Sequence, residues 1–302
     1  ALASIIGTAM LESGSAERLV NSIISLLGDK KASLALLISG FILSIPIFFD
    51  TVFFLMVPLA IALFKKTGKD YYLYVMSICG GALVTHCLVA PTPGPLTMAE
   101  NMHLDLGVSI MGGLLLGILP AIGVYLVVKR LNKTFILPLR VSNEQNNGNT
   151  AMPSLLLSIL PVFLPLILIS MSSIADVVML KGTKPAWIIF LGNKNVAMTL
   201  GTAIACWVWA KQKSFTGAQL WEACAKPLEV AGVIILITAA GGAFGAMLNH
   251  SGLGNAIKEL TNHISINYVL LGWLIASIMK IAQGSSTVAM ITASGILYAL
   301  IQ

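Results

Sequence analysis

Apolar residues fill this chain in long runs almost free of charge, separated by short polar punctuation, and that pattern predicts membrane-spanning helices. Tyr71 to Met98 contains no Asp, Glu, Lys or Arg, and Tyr71 to Ala90 supplies 20 mostly apolar residues, about what one helix needs to cross a bilayer. The run then meets Pro91, Pro93, Gly94 and Pro95. Proline withholds an N–H and breaks the hydrogen-bond ladder, and hydrocarbon offers no replacement partner. Such a break persists only when buried in protein or lining a watery cavity, so residues 71–101 are expected to form a broken helix.

Leu34 to Phe64 is a second unusual run, 31 residues with Asp50 as its single charge. As one helix it would be about 46 Å long, too long for a core about 30 Å thick and too short for two full spans. Pro46 and Asp50 divide it, and the reading that follows is a re-entrant hairpin over 34–64 with its tip at residues 45–51. Its feet, GDKKAS and KKTGKD, are both basic, as cytoplasmic loops are. Residues 107–128 form a returning helix that ends on Lys129, Arg130 and Lys133.

The remainder divides in the same way. Ala1 to Leu11 reads as the tail of a membrane helix, followed by a polar connector, ESGSAERL. Residues 1–140 make a first repeat and 141–152 a cytoplasmic linker rich in Asn and Gly, leaving 153–302 as a second repeat. In that repeat, 153–175 and 228–248 are expected to span outward and 196–210 inward, with an external loop between 175 and 196. Residues 215–226 are expected to lie at the interface with Trp221 at headgroup depth. A second hairpin over 268–302 has its tip at QGSST, residues 283–287. TAMLESG at 8–14 resembles GAMLNHSG at 245–252, and each precedes a hairpin. Hairpins entered from opposite faces are the inverted-repeat arrangement of secondary transporters. The fold class expected is thus an all-α membrane protein, an inverted-repeat transporter with re-entrant hairpins and broken helices.

Composition agrees. The chain is 57% hydrophobic and 10% charged, against roughly 25% charged in soluble domains, which excludes a soluble protein. The net charge of +6 does not mark a nucleic-acid surface, because Lys and Arg gather in connectors. On the topology above, thirteen of the 18 are cytoplasmic, four are external and Lys280 lies in the membrane. The four cysteines have no metal-ligand spacing and read as buried thiols. There is no Gly-rich phosphate loop, metal-spaced His/Glu pair or nucleophile triad, so no cofactor and no enzymatic chemistry are expected. Ala1 stands inside one apolar run and Gln302 inside another, which reads as an internal piece of a longer transporter.

The candidate site residues sit at the three interruptions. A carboxylate at the bilayer centre costs roughly 2.5–3.5 kcal/mol, so Asp50 either carries a coupling cation or caps the helix that follows it. His86, one turn before the proline break, can change charge near neutral pH and either takes a proton and contacts substrate or is satisfied by a neighbouring helix. Thr51, Thr85, Thr92 and Gly94 offer hydroxyls or an exposed amide, with a plain kink as the alternative. Gly284, Ser285, Ser286 and Thr287 open a helix whose free N–H groups suit an anion; a tight turn with a Ser cap explains the same residues. Lys280 either offsets substrate charge or snorkels to water. His103, His250 and His263 are expected to be solvated, Glu100 and Asp105 to be rim residues, and Gly113 and Gly117 to be packing residues.

THCLVAPTPGP, IPIFFDTVFFLMVPLAIAL, GGAFGAMLNHSG and IAQGSSTVAMITASGI together resemble the gluconate permease (GntP) family of bacterial proton symporters, in the family's order over almost the whole chain. The resemblance implies a carrier of the bacterial cytoplasmic membrane that takes up gluconate or a related small hydroxy-acid anion with protons. The wider ion-transporter fold implies paired hairpins, a homodimer and an elevator-like motion in the lipid bilayer. Thr92 stands where the family carries a second histidine and Asp50 where it has a glutamate, and the family's final segments are absent. Sodium coupling on the same fold, or glycerate or D-serine as substrate, are the rival readings; an intramembrane enzyme or channel is a third, lacking the residues it would need.

Overall fold

The computed structural model describes residues 1–135, 152–179, 184–252 and 267–301, and every regular element among them is helical. In chain order they are α1 (Leu2–Glu12), α2 (Ser15–Leu27), a 3₁₀ turn at Asp29–Lys31, α3 (Ala32–Leu43), α4 (Phe49–Thr67), α5 (Tyr71–Leu88), α6 (Pro93–Asn101) and α7 (Leu106–Leu131). There follow α8 (Leu155–Val178), α9 (Ala186–Gly192), α10 (Lys194–Lys213), α11 (Gly217–Ala223), α12 (Ala225–His250), α13 (Tyr268–Gln283) and α14 (Ser286–Ile301).

Among the described residues, four helical stretches, 71–101, 106–131, 155–176 and 217–244, are long and apolar enough to cross a bilayer, and α9 with α10, bent by 65°, makes a fifth if the pair counts as one span. Their outer faces carry Leu115 at 70%, Leu119 at 72% and Leu236 at 71% exposure, which water would not tolerate in so continuous a belt. Lipid covers them.

α5 is the central helix, packed between α3 and α7. Glycine permits both contacts. A Cβ on Gly81 would stand 2.0 Å from Leu37 O and one on Gly40 2.7 Å from Ile78 O, so the α3 and α5 backbones touch. On the α7 side, a Cβ on Gly113 would meet Leu88 O at 2.1 Å. Small residues admit this close approach of helices in a membrane.

The interruptions fall where the prolines and glycines place them. α3 stops at Leu43 and α4 begins at Phe49, so the Leu34–Phe64 run is two helices, neither of which counts as a span alone. α5 stops at Leu88 and α6 restarts at Pro93, with a cis Ala90–Pro91 bond between them. α13 ends on Gly284 at φ 74°, and α14 follows.

Two sequence expectations are corrected. ESGSAERL is not a connector: Gly14 at φ 75° makes the turn and Ser15 already opens α2, whose Ala16, Leu19 and Val20 are buried. The expected external loop between 175 and 196 contains α9, which starts after Pro185 because AWIIFLG is apolar and packs on α8. Residues 215–226 do contain a short helix, α11, closed by a capping box between Thr216 and Gln219, with Trp221 82% exposed. The linker at 141–151 and His263 lie outside the described residues. Gly14 and Gly252, the matched ends of the two similar segments, both adopt positive φ, 75° and 80°.

Candidate functional site: a cavity between three helix starts

The break after α5 is held by its own side chain. Pro93 has no N–H to give Val89 O, and the Thr92 hydroxyl takes that place, 2.6 Å from Val89 O and 3.1 Å from His86 O. Thr92 is also the N-cap residue of α6, with Pro93 at its first position, where a missing donor is tolerated. At the second interruption Ser285 accepts from Val288 N at 3.3 Å, opening α14, and Lys280 Nζ donates to Gly284 O at 2.6 Å. The lysine thus satisfies the end of its own helix α13, a position that favours cations.

These interruptions meet at a cavity of ≈ 250 Å³ whose wall includes Asp50, His86, Pro93, Ser285 and Thr287, with Phe48 and Phe49 beside them and Ile234, Ile237 and Thr238 of α12 opposite. Three helices begin at it: α4 at Phe49, α6 at Pro93 and α14 at Ser286. Each start carries the positive end of a helix dipole, equivalent to about half an elementary charge, and unpaired N–H groups, of which the first turn of α6, with Pro93 and Pro95, keeps only that of Gly94. Asp50 lies in the first turn of α4, where a carboxylate is stabilised by the same dipole, and it is close enough to His86 for their charges to interact. His86 is half-buried, and its Nδ1 is fully buried without a hydrogen-bond partner. An unsatisfied buried acceptor or donor costs about 1–3 kcal/mol, so this ring nitrogen is a costly group to leave unpaired.

Of the residues singled out in the sequence, Asp50, His86, Ser285 and Thr287 line this cavity. The others stand around it. Thr85 is fully buried and donates to Phe41 O at 2.8 Å, satisfying a carbonyl of the last turn of α3. Gly94 is a packing glycine: a Cβ there would meet Met290 Cε at 2.3 Å and Thr287 Cα at 3.3 Å. Ser286 lies against the Cys87 thiol. Thr51, Gly284 and Lys280 are next to the tips and outside the wall. Thr92 lines a larger, mainly apolar neighbouring cavity of ≈ 460 Å³, which shares Phe48, Pro93, Ile234 and Thr238 with the first. His103 is exposed and lies edge-on to Tyr298, Glu100 pairs with Lys194, and Asp105 caps α7 by accepting from Val108 N. Among the described residues no group of three His, Cys, Asp or Glu is placed to hold a metal.

Sequence reasoning missed α12 as a wall of the site. A signal was present: Thr238 is the one polar side chain between Glu229 and Asn249. Its hydroxyl donates to Ile234 O at 2.8 Å, so its oxygen can still accept a hydrogen bond, and the residue lines both cavities.

Interrupted helices that meet at a cavity inside a helical membrane protein are the arrangement found in membrane transporters. The chain matches the model described as GntP family permease over residues 1–302, and it belongs to that family. It is 33% identical to an uncharacterized permease of Haemophilus influenzae, over 98% of this chain and 64% of that protein. It is 29% identical to a gluconate permease of Zymomonas mobilis, over 100% and 68% of the two chains, and 27% identical to the Gnt-II system L-idonate transporter of Escherichia coli, over 99% and 69%. The chain therefore spans about two thirds of the length of these relatives. No solved structure gives a significant match. Family and spans together make it a multi-pass protein of the bacterial inner membrane.

Proposed function

We propose that the protein is part of a proton-coupled carrier that takes up gluconate or a related small hydroxy-acid anion. The observation that carries the reading is the convergence of three helix starts on one cavity that also holds Asp50 and His86. Dipole ends and unpaired amides favour the substrate carboxylate, while ionised Asp50 repels it. A proton on Asp50, or on His86, removes repulsion or adds attraction, so proton and anion bind better together than apart. That mutual preference is what symport requires. The names of the relatives, gluconate and L-idonate carriers among them, fit a site that takes one carboxylate and a hydroxylated tail.

In this reading α3 with α4, and α13 with α14, are re-entrant hairpins of two inverted repeats, 1–140 and 153–302. They work in the bilayer as a homodimer, with the hairpin tips and broken helix moving the site between faces. The test is uptake of labelled gluconate by the full-length protein in proteoliposomes, with an imposed proton gradient in one arm and a sodium gradient in the other. Stimulation by protons alone is expected. Stimulation by sodium alone, or gluconate uptake indifferent to both, overturns the coupling; no competition by gluconate, idonate or glycerate overturns the substrate class.

A further inference from the structure

We infer that the groove between α3 and α7 is a binding site for one acyl chain of an anionic phospholipid, whose phosphate is held at the groove's basic end. The two helices run antiparallel, in a register fixed at two points. The Ser33 and Tyr125 hydroxyls are 3.1 Å apart at one end, and a Cβ on Gly117 would lie 3.2 Å from the Phe41 ring at the other. Between these points lies an open cavity of ≈ 260 Å³, walled by Leu34, Ile38 and Phe41 on one side and Ile118, Ile122 and Tyr125 on the other. Tyr125 and Ile118 are seven residues apart on one helix, so the groove is about 10 Å long. It persists because the buried Ala121 in its wall is too small to fill it.

The charge at its ends decides the occupant. One turn beyond Tyr125 on the same helix face stands Lys129, and Lys31 and Lys30 stand two and three residues before Ser33. All three are exposed, and among the described residues none is in an ion pair. The nearby acids are committed elsewhere: Asp29 pairs with Lys66, and Asp70 accepts from Asn132 Nδ2 at 2.7 Å. Lys211 and Lys213, at the end of α10, differ, since one stacks on Trp207 and the other pairs with Glu12. Unpaired cations at the mouth of an apolar groove, with two hydroxyls at the junction, match a negative headgroup joined to a hydrocarbon chain.

Phosphatidylglycerol and phosphatidylcholine, added at equal concentration to the delipidated full-length protein in detergent, test this. Retained lipid is measured by mass spectrometry of the intact protein, and the unfolding midpoint is followed in parallel. Phosphatidylglycerol is expected to be retained and to raise the midpoint, and phosphatidylcholine to do neither. Lys30→Gln, Lys31→Gln and Lys129→Gln should each weaken phosphatidylglycerol about fivefold, the effect of one basic residue beside an anionic lipid surface. Ala121→Phe should abolish retention by filling the groove, and Tyr125→Phe, which keeps the ring and the packing, should weaken it. Equal retention of both lipids, or retention unchanged in the triple lysine variant, overturns the site. So does disulfide cross-linking of Ile122→Cys between two copies, which would show protein covering the groove.

Discussion

Gly94 and Thr287 bring the broken helix and the second tip into backbone contact: a Cβ built on the glycine would lie 3.3 Å from Thr287 Cα. The same Cβ would lie 2.3 Å from Met290 Cε, the mobile end of a flexible side chain. Gly94→Ala should therefore be accommodated by Met290, and more fully when combined with Met290→Leu. Gly94→Val should push α14 away and lower uptake roughly 10–100-fold, the scale on which a displacement near 1 Å acts. Initial rates at matched expression decide it, and wild-type rates for the valine variant would remove the coupling of α6 to α14.

His86 lines the cavity, and its Nδ1 is buried without a hydrogen-bond partner. An imidazole ordinarily titrates near pH 6.5, and its protonated form adds positive charge beside the anion. His86→Gln should lower uptake and flatten its rise as external pH falls. A variant that keeps the wild-type rate and the wild-type pH response would clear His86 of any role.

Asp50 shares the site with three helix starts, and removing its charge should separate binding from coupling. Asp50→Asn is expected to bind and exchange the anion across the membrane while losing accumulation driven by a proton gradient. Counterflow and gradient-driven uptake, measured side by side, give the answer; equal loss of both would make Asp50 a structural cap.

Thr238 offers the cavity an acceptor because its own proton is given to Ile234 O. Thr238→Val should reduce the preference for a hydroxylated acid over its deoxy analogue by about threefold to tenfold, the range of one hydrogen bond. Thr238→Ser should keep it. Competition against labelled gluconate reads the ratio directly, and an unchanged ratio in the valine variant would exclude contact with substrate.

Thr85 tests the opposite expectation. Its hydroxyl satisfies Phe41 O at the end of α3, so Thr85→Val should cost about 1–3 kcal/mol of stability. Unfolding in detergent would show it, with substrate competition constants unchanged. A raised substrate constant without loss of stability would return Thr85 to the binding residues.

What was legible in the sequence follows from backbone chemistry. Pro91 and Pro93 forbid a continuous ladder, Pro46 divides a run too long for one span, and Gly284 permits the αL turn, so all three interruptions could be read. Asp50, His86, Ser285 and Thr287, which line the cavity, stood out because polar residues in an apolar setting are conspicuous. What was not legible depends on which surfaces meet. Thr85 and Lys280 have the same residue types as ligands, yet their partners, Phe41 O and Gly284 O, are known only from packing. Thr238 was a lone hydroxyl in a helix with no break to advertise it. α9 was hidden because lysines flank seven apolar residues, and charge outweighed so short a run.

The interlock of Gly40 and Gly81 has a mechanical corollary. Carbonyl oxygens of each helix sit where a methyl of the other would have to be, so α3 cannot slide along α5 without first lifting away. Whatever conformational cycle the carrier runs, the first tip and the proline break must ride on one chassis. The pivots then belong at its polar margins, where Gly28 and Gly68 adopt φ of 77° and 71° with nothing crowding them.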